Sequence, residues 1–255
     1  MGLNVKTLLL SACIATMSFA AVAPAAYALD DAQKKEFGTF IREYLLSHPE
    51  VIEEAKAALE KKQAEEQASA ANQAVSRNKD AIFNSADDVV LGNPKGDVTV
   101  VEFFDYNCGY CKQALPDMHA MLKADPNLRF VLKEFPILGP DSLAAHRVAD
   151  AFRRINKDKY AEFHDELLST HGRADEARAI EVAGKLGVDE AQIRKMMKDK
   201  PADASIKESY RIAQELGIGG TPSYVVGNEP VFGAIGAEEL SAKVASVRSC
   251  GKTTC

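Results

Sequence analysis

Two cysteines separated by two residues, Cys108 and Cys111 in the stretch VEFFDYNCGYC, are the residues whose types and spacing could do chemistry. They follow directly on an apolar run and open a segment, GYCKQALPDMHAMLKA, that has the pattern of a helix. A thiol pair at this spacing can bind a metal ion, form a structural disulfide or exchange electrons. The elements around the pair, and the compartment in which it works, bear on which of these it does.

The start of a helix is a position that makes a thiol acidic. Unpaired backbone N–H groups and the helix dipole favour negative charge on the first sulfur. Such cysteines have pKa values from about 3.5 to 7, against about 8.5 for a free thiol, and the thiolate is the species that attacks a disulfide. We therefore predict that Cys108 is the nucleophile and that Cys111, one turn further into the helix, is the resolving thiol.

A metal site is the main structural alternative for the pair. Tetrahedral zinc needs four ligands, of which one C-x-x-C supplies two. His119 is two helical turns beyond Cys111, and Cys250 and Cys255 are far away in the sequence. We predict no metal and no cofactor, and we interpret the five histidines as surface or helix-packing residues. The alternative left open is a copper-binding or copper-tolerance module in the periplasm, because Cu(I) accepts two thiolates.

The first 28 residues have the pattern of a secretory signal peptide. Lys6 precedes an apolar stretch that ends in the small residues AYA at 26–28, which predicts cleavage after residue 28 and export to the periplasm. A lipoprotein box, LSAC at 10–13, is the alternative. The apolar stretch continues past Cys13, and only about five of its residues precede that cysteine, too few for the core of a signal.

Charge and hydropathy narrow the partners of the exported chain. The full chain has a net charge of −6, and removal of Lys6 with the signal leaves 30 basic and 37 acidic residues, a charge of −7. No basic cluster is long enough to follow a phosphate backbone, so we predict no nucleic-acid partner. Nothing after residue 28 approaches the roughly 20 apolar residues of a membrane span, so we predict no membrane insertion.

Export also affects the cysteines, because thiols in an oxidising compartment form disulfides unless something maintains them. Four cysteines remain after the signal peptide, and a chain of this length does not need disulfide bonds to fold. A purely structural role for the close pair is therefore weakly motivated. Cys250 and Cys255 could close a small loop or stay free, and a second redox centre there is a further alternative.

Residues 29–84 read as a helical segment. Apolar side chains at helical spacing form one stripe, and Ser47-His48-Pro49 ends that helix and begins a second, long one. We predict that the stripe meets copies of itself in a homo-oligomer formed through residues 29–83. Packing of the segment along its own domain is the alternative. The stripe consists of Phe37, Phe40, Ile41, Tyr44 and Leu45.

Residues 85–255 read as an α/β domain. Two strand patterns, VTVVEFFDY and LRFVLKEFP, flank the helix that follows Cys108, which predicts a parallel β-α-β unit. Residues 142–216 show only helical patterns, and two short strands and a final helix follow. The pattern is a β-α-β half and a β-β-α half with an inserted helical block.

In these features the chain resembles the DsbA-type thiol-disulfide oxidoreductases of the bacterial envelope, through VEFFDYNCGYC, the helical insertion and GGTPSYVVG. The segment FGTFIREYLLSHPEVIEEA further resembles the amino-terminal part of the suppressor-of-copper-sensitivity C branch. In parts of that branch this segment makes trimers, whereas other members are monomeric. The resemblance implies a thioredoxin fold with an inserted helical subdomain, preceded by an N-terminal helical segment. It places Thr221 and Pro222, at the cis-proline position of that fold, where substrate backbone lies. From the residues alone, an ordinary proline at the start of a strand is the alternative for Pro222.

The resemblance also implies that Glu102, six residues before Cys108, is a buried proton relay. Its alternation with Val101 and Phe103 is consistent with burial, although an edge-exposed glutamate is the alternative, and Lys133 on the next strand is a candidate partner. The dipeptide between the cysteines is Gly109-Tyr110 and not the Pro-His of the strongly oxidising DsbA, so this chain has no histidine cation there to help stabilise the thiolate. We expect a milder oxidant than the strongly oxidising DsbA proteins, within roughly −120 to −270 mV.

The resulting hypothesis is an exported enzyme that exchanges disulfides with cysteine-containing envelope proteins through a mixed disulfide. Oxidase, isomerase and reductase share this chemistry and differ in the redox state that the cell maintains. An oligomer that gathers several sites favours isomerase, and a monomer favours oxidase. A redox partner in the membrane is part of the expectation.

Overall fold

The computed structural model describes residues 30–255. The predicted signal, residues 1–28, lies outside the described residues, so its cleavage site remains a prediction. The chain divides into two compact units between Ala58 and Leu59, and each is described by itself. Among the described residues, no helix combines the length and the apolar character needed to cross a membrane.

The first unit contains helix α1, Asp31–Ser47, and the start of helix α2, Glu50–Arg77. Asp30 caps α1 in a reciprocal box, in which its side chain accepts from the Gln33 backbone and the Gln33 side chain accepts from the Asp30 backbone. The helix break falls at Ser47 to Pro49, as the sequence predicts. No residue of α1 is buried. Four of the five stripe residues are therefore exposed, and Leu45 is partly buried.

The second unit is a five-stranded sheet covered by helices. Its strands are β1 Val89–Gly92, β2 Val98–Phe104, β3 Leu128–Glu134, β4 Ser223–Val226 and β5 Glu229–Phe232. Its helices are the end of α2, α3 Lys79–Phe83, α4 Gly109–Ala124, α5 Pro140–Ile155, α6 Tyr160–Leu168, α7 Glu176–Lys185, α8 Glu190–Asp199, α9 Asp203–Glu215 and α10 Gly236–Cys250, with a 3-10 turn, Lys157–Lys159, before α6.

The strand order across the sheet is β1-β3-β2-β4-β5. Strands β2 and β3 are parallel and joined through α4, and the other three pairings are antiparallel. The fold is therefore the predicted one, a thioredoxin fold with the helices α5 to α9 inserted between its two halves. Strand β1, which pairs with β3 at the edge, was not predicted.

The two faces of the sheet carry separate cores because side chains alternate along each strand. On β2, Val100 and Phe104 pack with α4, α10 and the inserted helices. Val101 and Phe103 point to the other face and pack with α3, α9 and the end of α2. The interior of α4 contains Pro116, which removes one backbone hydrogen bond of the helix.

The predicted helical segment ran to residue 84, whereas the compact units divide at residues 58 and 59. Ala74, Val75 and Ile82 are buried in the core of the second unit, so residues 59–83 belong to it by packing. The predicted domain boundaries, residues 29–84 and 85–255, remain a prediction.

Candidate active site at the start of helix α4

The thiol pair lies where β2 leads into α4. Cys108 is the N-cap of α4, with an extended backbone at φ −79° and ψ 116°, and no side chain caps the helix. Its N–H donates to the Asp105 oxygen at 3.0 Å. Both cysteines are free thiols; Cys108 is 6% exposed and Cys111 is fully buried. Solvent therefore reaches one of the two sulfurs.

The two thiols have opposite electrostatic surroundings. A hydrogen bond from the Cys111 thiol is the largest influence that lowers the pKa of Cys108, from 9.0 to about 6, helped by the Thr221 side chain and by the backbone N–H groups of Cys111 and Tyr110. Burial raises the pKa of Cys111 far above its usual range. The helix N-terminus contributes to the acidity of Cys108, as the sequence argument expects, but the neighbouring thiol contributes more.

Thr221 and Pro222 lie against the nucleophile. Their peptide bond is cis, and the Cys108 Sγ donates to the backbone oxygen of Thr221 at 3.0 Å. Strand β4 begins at the next residue and pairs antiparallel with β2. The pairing of these two strands thus brings residues 108 and 221 together, and with them the two separate motifs of the sequence.

Glu102 lies on β2 beneath the thiols and is buried, with 4% exposure. It is opposite Tyr224 of β4 and Leu132 of β3 in the sheet. Burial, and then the nearby Cys108 charge, raise the pKa of Glu102 from 4.5 to about 8. The carboxyl group can therefore gain and lose a proton near neutral pH, which is what a proton relay needs.

Lys133 is not the partner of Glu102. It is one residue along β3 from Leu132 and points to the opposite face of the sheet, because strand side chains alternate. Its ammonium group donates to Asp88 at 2.5 Å and to the Ala81 oxygen at 2.9 Å. The candidate pairing offered by the sequence is therefore wrong, and Lys133 instead holds the segment before β1.

The turn before Cys108 contains polar residues that sequence reasoning missed. The buried Asp105 carboxylate accepts from the Asn107 N–H and the Ser142 hydroxyl at 2.8 Å each and from the Leu138 N–H at 2.9 Å. Asn107 also binds Ala174 in the insertion. The letters DYN before the first cysteine favour a turn, but nothing in their spacing identifies partners 35 to 67 residues away.

The histidines lie apart from the thiols' own contacts. His146 and His164 are buried beside the Phe104 ring, and burial lowers the pKa of His164 to about 3, so it is neutral. His119 pairs with Asp165 at 3.2 Å. No group of three or more histidine, cysteine or acidic side chains within residues 30–255 is placed to hold a metal ion.

The last two cysteines are bridged. Cys250, at the end of α10, and Cys255 form a disulfide with a sequence separation of 5 residues. Both are exposed, whereas Thr253 within the loop is buried and bonds Glu229. The question that the sequence left open is thus answered in favour of a small terminal loop.

A helix-capping cysteine with a lowered pKa, a buried second cysteine and a facing cis-proline define a thioredoxin-type dithiol site. Comparisons with known proteins agree with this class. The family model described as "DSBA-like thioredoxin domain" matches residues 99–245, and the one described as "Copper resistance protein ScsC N-terminal domain" matches residues 33–66. The chain belongs to the DsbA-like thioredoxin domain family.

Solved structures give the same result. A thioredoxin-like oxidoreductase from Silicibacter pomeroyi is 42% identical, with 68% of this chain and 99% of that one covered and a TM-score of 0.65. The thiol-disulfide exchange protein alpha-DsbA2 of Wolbachia pipientis is 30% identical, with 69% and 95% covered and a TM-score of 0.64. Proteus mirabilis ScsC in a transitional conformation is 27% identical, with 86% and 96% covered and a TM-score of 0.57.

Similarity to curated proteins is partial in length. Two relatives at 31% and 28% identity match over 159 residues, and the chain spans only 24% of the length of each.

Proposed function

We propose that this chain is an exported thiol-disulfide oxidoreductase that acts on the cysteines of envelope proteins through its CGYC pair. The observation that carries the proposal is the difference between the two sulfurs. One is partly accessible, with a pKa lowered to about 6, and the other is buried with a raised pKa. A thiol ionised at neutral pH attacks disulfides, and one that stays protonated does not compete with it.

In the reductive direction, the Cys108 thiolate attacks one sulfur of a substrate disulfide. A Cys108–substrate disulfide forms, and the other substrate sulfur leaves as a thiolate that takes a proton. Thr221 and Pro222 face Cys108, so the substrate backbone beside the reacting sulfur lies against them. Cys111 is buried and takes no part in this first step.

The second step needs Cys111 to lose its proton. The Cys111 sulfur then attacks Cys108, the Cys108–Cys111 disulfide forms and the second substrate sulfur leaves, so that two electrons pass from the dithiol to the substrate. In this proposal the ionised form of Glu102 accepts that proton, which is supported by the interaction of its charge with Cys111 and by its pKa of about 8. Oxidation of a substrate dithiol is the same sequence in reverse.

The direction of exchange depends on assembly and on the redox state in the cell. Four apolar side chains of α1 are between 44% and 63% exposed, namely Phe37, Phe40, Ile41 and Tyr44. Exposed apolar area of this kind marks an interaction surface. We propose a homo-oligomer, a trimer, joined through residues 29–83, which favours isomerase over oxidase because several dithiols can act on one substrate.

Export to the periplasm and reoxidation or reduction by a membrane redox partner complete the proposal. The signal-like residues 1–28 support export. Thiol trapping of Cys108 in cells decides the direction. A mostly oxidised pair indicates an oxidase, and a mostly reduced pair indicates an isomerase or a reductase.

The proposed chemistry is tested by trapping the intermediate. Reduced Cys111→Ser protein, mixed with a disulfide-containing protein, should accumulate a mixed disulfide at Cys108, measured by intact mass. Cys108→Ser is the matched control and should form no adduct. Equal amounts of adduct with both variants would contradict the proposal. So would the absence of any adduct in a preparation whose wild-type protein also fails to rearrange scrambled disulfides.

A Cu(I)-binding role is the second candidate, because residues 33–66 match a model described as that of a copper resistance protein. Two thiolates suit Cu(I). Reduced protein titrated with Cu(I) under a competing chelator should bind one equivalent in this case, and Cys108→Ser should bind none. If the chain is an oxidoreductase without a copper role, neither the wild type nor Cys108→Ser should retain Cu(I) against the chelator.

A further inference from the structure

The residues on either side of the C-x-x-C motif bind the same piece of backbone. Asn107 directly precedes Cys108, and Lys112 directly follows Cys111. Both reach residues 170–174, the loop between α6 and α7, which we name the flanking loop. The flanking loop belongs to the helical insertion, so the insertion is joined to the dithiol at two points.

The contact made by Asn107 is complete in its hydrogen bonding. Its side-chain amide donates to the Ala174 oxygen at 2.8 Å and to the Ser142 hydroxyl at 2.9 Å, and its Oδ1 accepts from the Ala174 N–H at 2.8 Å. Ala174 is fully buried. Because the Ala174 N–H needs an acceptor, it fixes the orientation of the amide.

Ser142 extends this contact to the other end of the turn. Its hydroxyl donates to Asp105, which also accepts from the Asn107 N–H. The Asp105 backbone oxygen accepts from the Cys108 N–H at 3.0 Å. In the turn 105–108, the insertion therefore holds Asp105 through the Ser142 side chain, and it holds Asn107 through that side chain and the Ala174 backbone.

Lys112 provides the second attachment. Its ammonium group donates to the Thr170 oxygen at 2.8 Å and to the Gly172 oxygen at 3.4 Å. Burial lowers the pKa of Lys112, as expected for a cation packed under a loop. The charge of Lys112 could act on the thiols by itself, so the uncharged Asn107 gives the cleaner test of positioning.

We propose that Asn107 is a positioning residue of the dithiol, which clamps the turn before Cys108 to the flanking loop and so fixes where the Cys108 sulfur lies. The proposal deepens the proposed function and rests on it for its biological meaning. The physical reason is directional. The bonds from the Cys111 thiol, the Thr221 side chain and the α4 N-terminus favour the thiolate only at hydrogen-bond distance, and a mobile turn weakens all of them together.

The test is the rate of iodoacetamide alkylation of reduced Asn107→Ala protein at two pH values. Cys111 is buried, so alkylation reports Cys108. If loosening raises the pKa of Cys108 from about 6 by about half a unit to one unit, alkylation at pH 6 should slow roughly two- to sixfold. At pH 9.5 the Cys108 thiol is ionised in both proteins, and the rates should agree within about twofold.

Asn78→Ala is the matched control. Asn78 also makes three side-chain hydrogen bonds, to the Ala74 oxygen, Glu215 and Arg211, between 2.7 and 2.9 Å. It lies between α2 and α3, away from the thiols. A loss of hydrogen bonds that acts through general stability slows both variants alike, and that result would overturn the proposal.

Two further variants keep the test decisive if Asn107→Ala does not fold. Ser142→Ala leaves the Ala174 contacts in place and should slow alkylation at pH 6 by a smaller factor. Combining Ser142→Ala with Lys112→Met should give less than the product of the two single effects, because both act through the same turn and loop. Wild-type rates in Ser142→Ala, or independent effects in the double variant, contradict a shared clamp.

The proposed function fails separately from this inference. A wild-type protein that exchanges no disulfides removes the oxidoreductase assignment, while the pH-selective effect of Asn107→Ala on alkylation still establishes positioning. A wild-type protein that exchanges disulfides normally, with no effect of Asn107→Ala at pH 6, leaves the function and removes the clamp.

Discussion

The Sγ atom of Cys108 lies 3.0 Å from the backbone oxygen of Thr221, a residue 113 positions later in the chain. A carbonyl oxygen accepts only from the protonated thiol, so this bond favours the neutral form. The bond from the Cys111 thiol favours the thiolate and is the larger influence, since the pKa of Cys108 is lowered to about 6. Ionisation of Cys108 thus depends mainly on its partner in the motif.

Replacing Cys111 should therefore make Cys108 less acidic. In Cys111→Ala no group donates in place of the thiol, and we expect the pKa of Cys108 to rise by about one unit, which is roughly tenfold less thiolate at low pH. Cys111→Ser is the matched control, because its hydroxyl can still donate, and the rise should be smaller. Thiolate absorbance at 240 nm against pH measures both, and equal pKa values in all three proteins would show that the helix terminus alone sets the acidity.

Glu102→Gln should change how stability depends on pH. The pKa of Glu102 is raised from 4.5 in a model peptide to about 8 in the fold. A raised pKa means that the stability contributed by this group is fully present below pH 4.5 and is lost as the pH rises through 8. The amide does not ionise, so the free energy of unfolding of the variant should increase relative to that of the wild type by roughly 4 kcal/mol between pH 5 and pH 9.

Urea unfolding of the oxidised proteins at the two pH values is the measurement for Glu102, because the disulfide prevents the thiols from titrating. The Cys108 charge is absent in this form, so burial alone raises the pKa of Glu102 and the gain should be somewhat smaller than for the dithiol. The wild type should lose free energy of unfolding as the pH rises, so the two proteins should differ least at pH 5. Parallel pH profiles would mean that Glu102 is ionised normally, as an edge-exposed glutamate is. Resolution of a trapped mixed disulfide should also slow in the variant if Glu102 accepts the Cys111 proton.

Lys133→Met should destabilise the fold without changing the thiols. Removal of the cation leaves the Asp88 carboxylate buried without its partner, which typically costs about 3 to 5 kcal/mol. Burial already raises the pKa of Asp88 to about 6, so the cost should be smaller at pH 5, where the carboxyl group takes a proton. The double variant Lys133→Met, Asp88→Asn is the control and should recover much of the loss in thermal or urea unfolding. A changed pKa of Cys108 in Lys133→Met would instead connect Lys133 to the active site.

Phe40→Asp should convert an oligomer into a monomer. Phe40 is 63% exposed in the stripe of α1, and a charge there cannot be buried between copies without a large cost. Thr39→Asp, on the opposite side of the same helix, is the matched control and should keep the native mass measured by light scattering. Deletion of residues 30–58 is the cleaner truncation, because Ala74, Val75 and Ile82 belong to the core of the second unit. A wild-type monomer would remove the argument for an isomerase.

The sequence predicts much of the fold because its main signals are local. The apolar run of β2, the helical pattern of α4 and the helix break at Pro49 all lie within short windows, and the structure agrees with each. Strand β1 was not predicted because VVLG has only four residues and lies between acidic and turn residues, too short for an alternation of apolar and polar side chains to be recognised. Its place is set by pairing with β3, some forty residues away.

The parts of the site that sequence reasoning missed are those made by contacts between distant residues. Lys133 reads equally well as a partner for Glu102 or for Asp88, and only the alternation of β3 in the folded sheet separates the two. Asn107 has no periodic pattern, and its partner Ala174 offers only backbone groups. Backbone partners leave no trace in residue type, so the clamp could not be predicted.

The complete burial of Cys111 makes the order of events in the proposed exchange independent of the substrate. A substrate protein can react only with the Cys108 sulfur, so a mixed disulfide with Cys111 does not form first. How long the covalent complex lasts is then governed by proton loss inside the protein's own core. If the proposed exchange is an isomerisation, the time that a substrate has to find its correct pairing is set by the enzyme and not by the substrate.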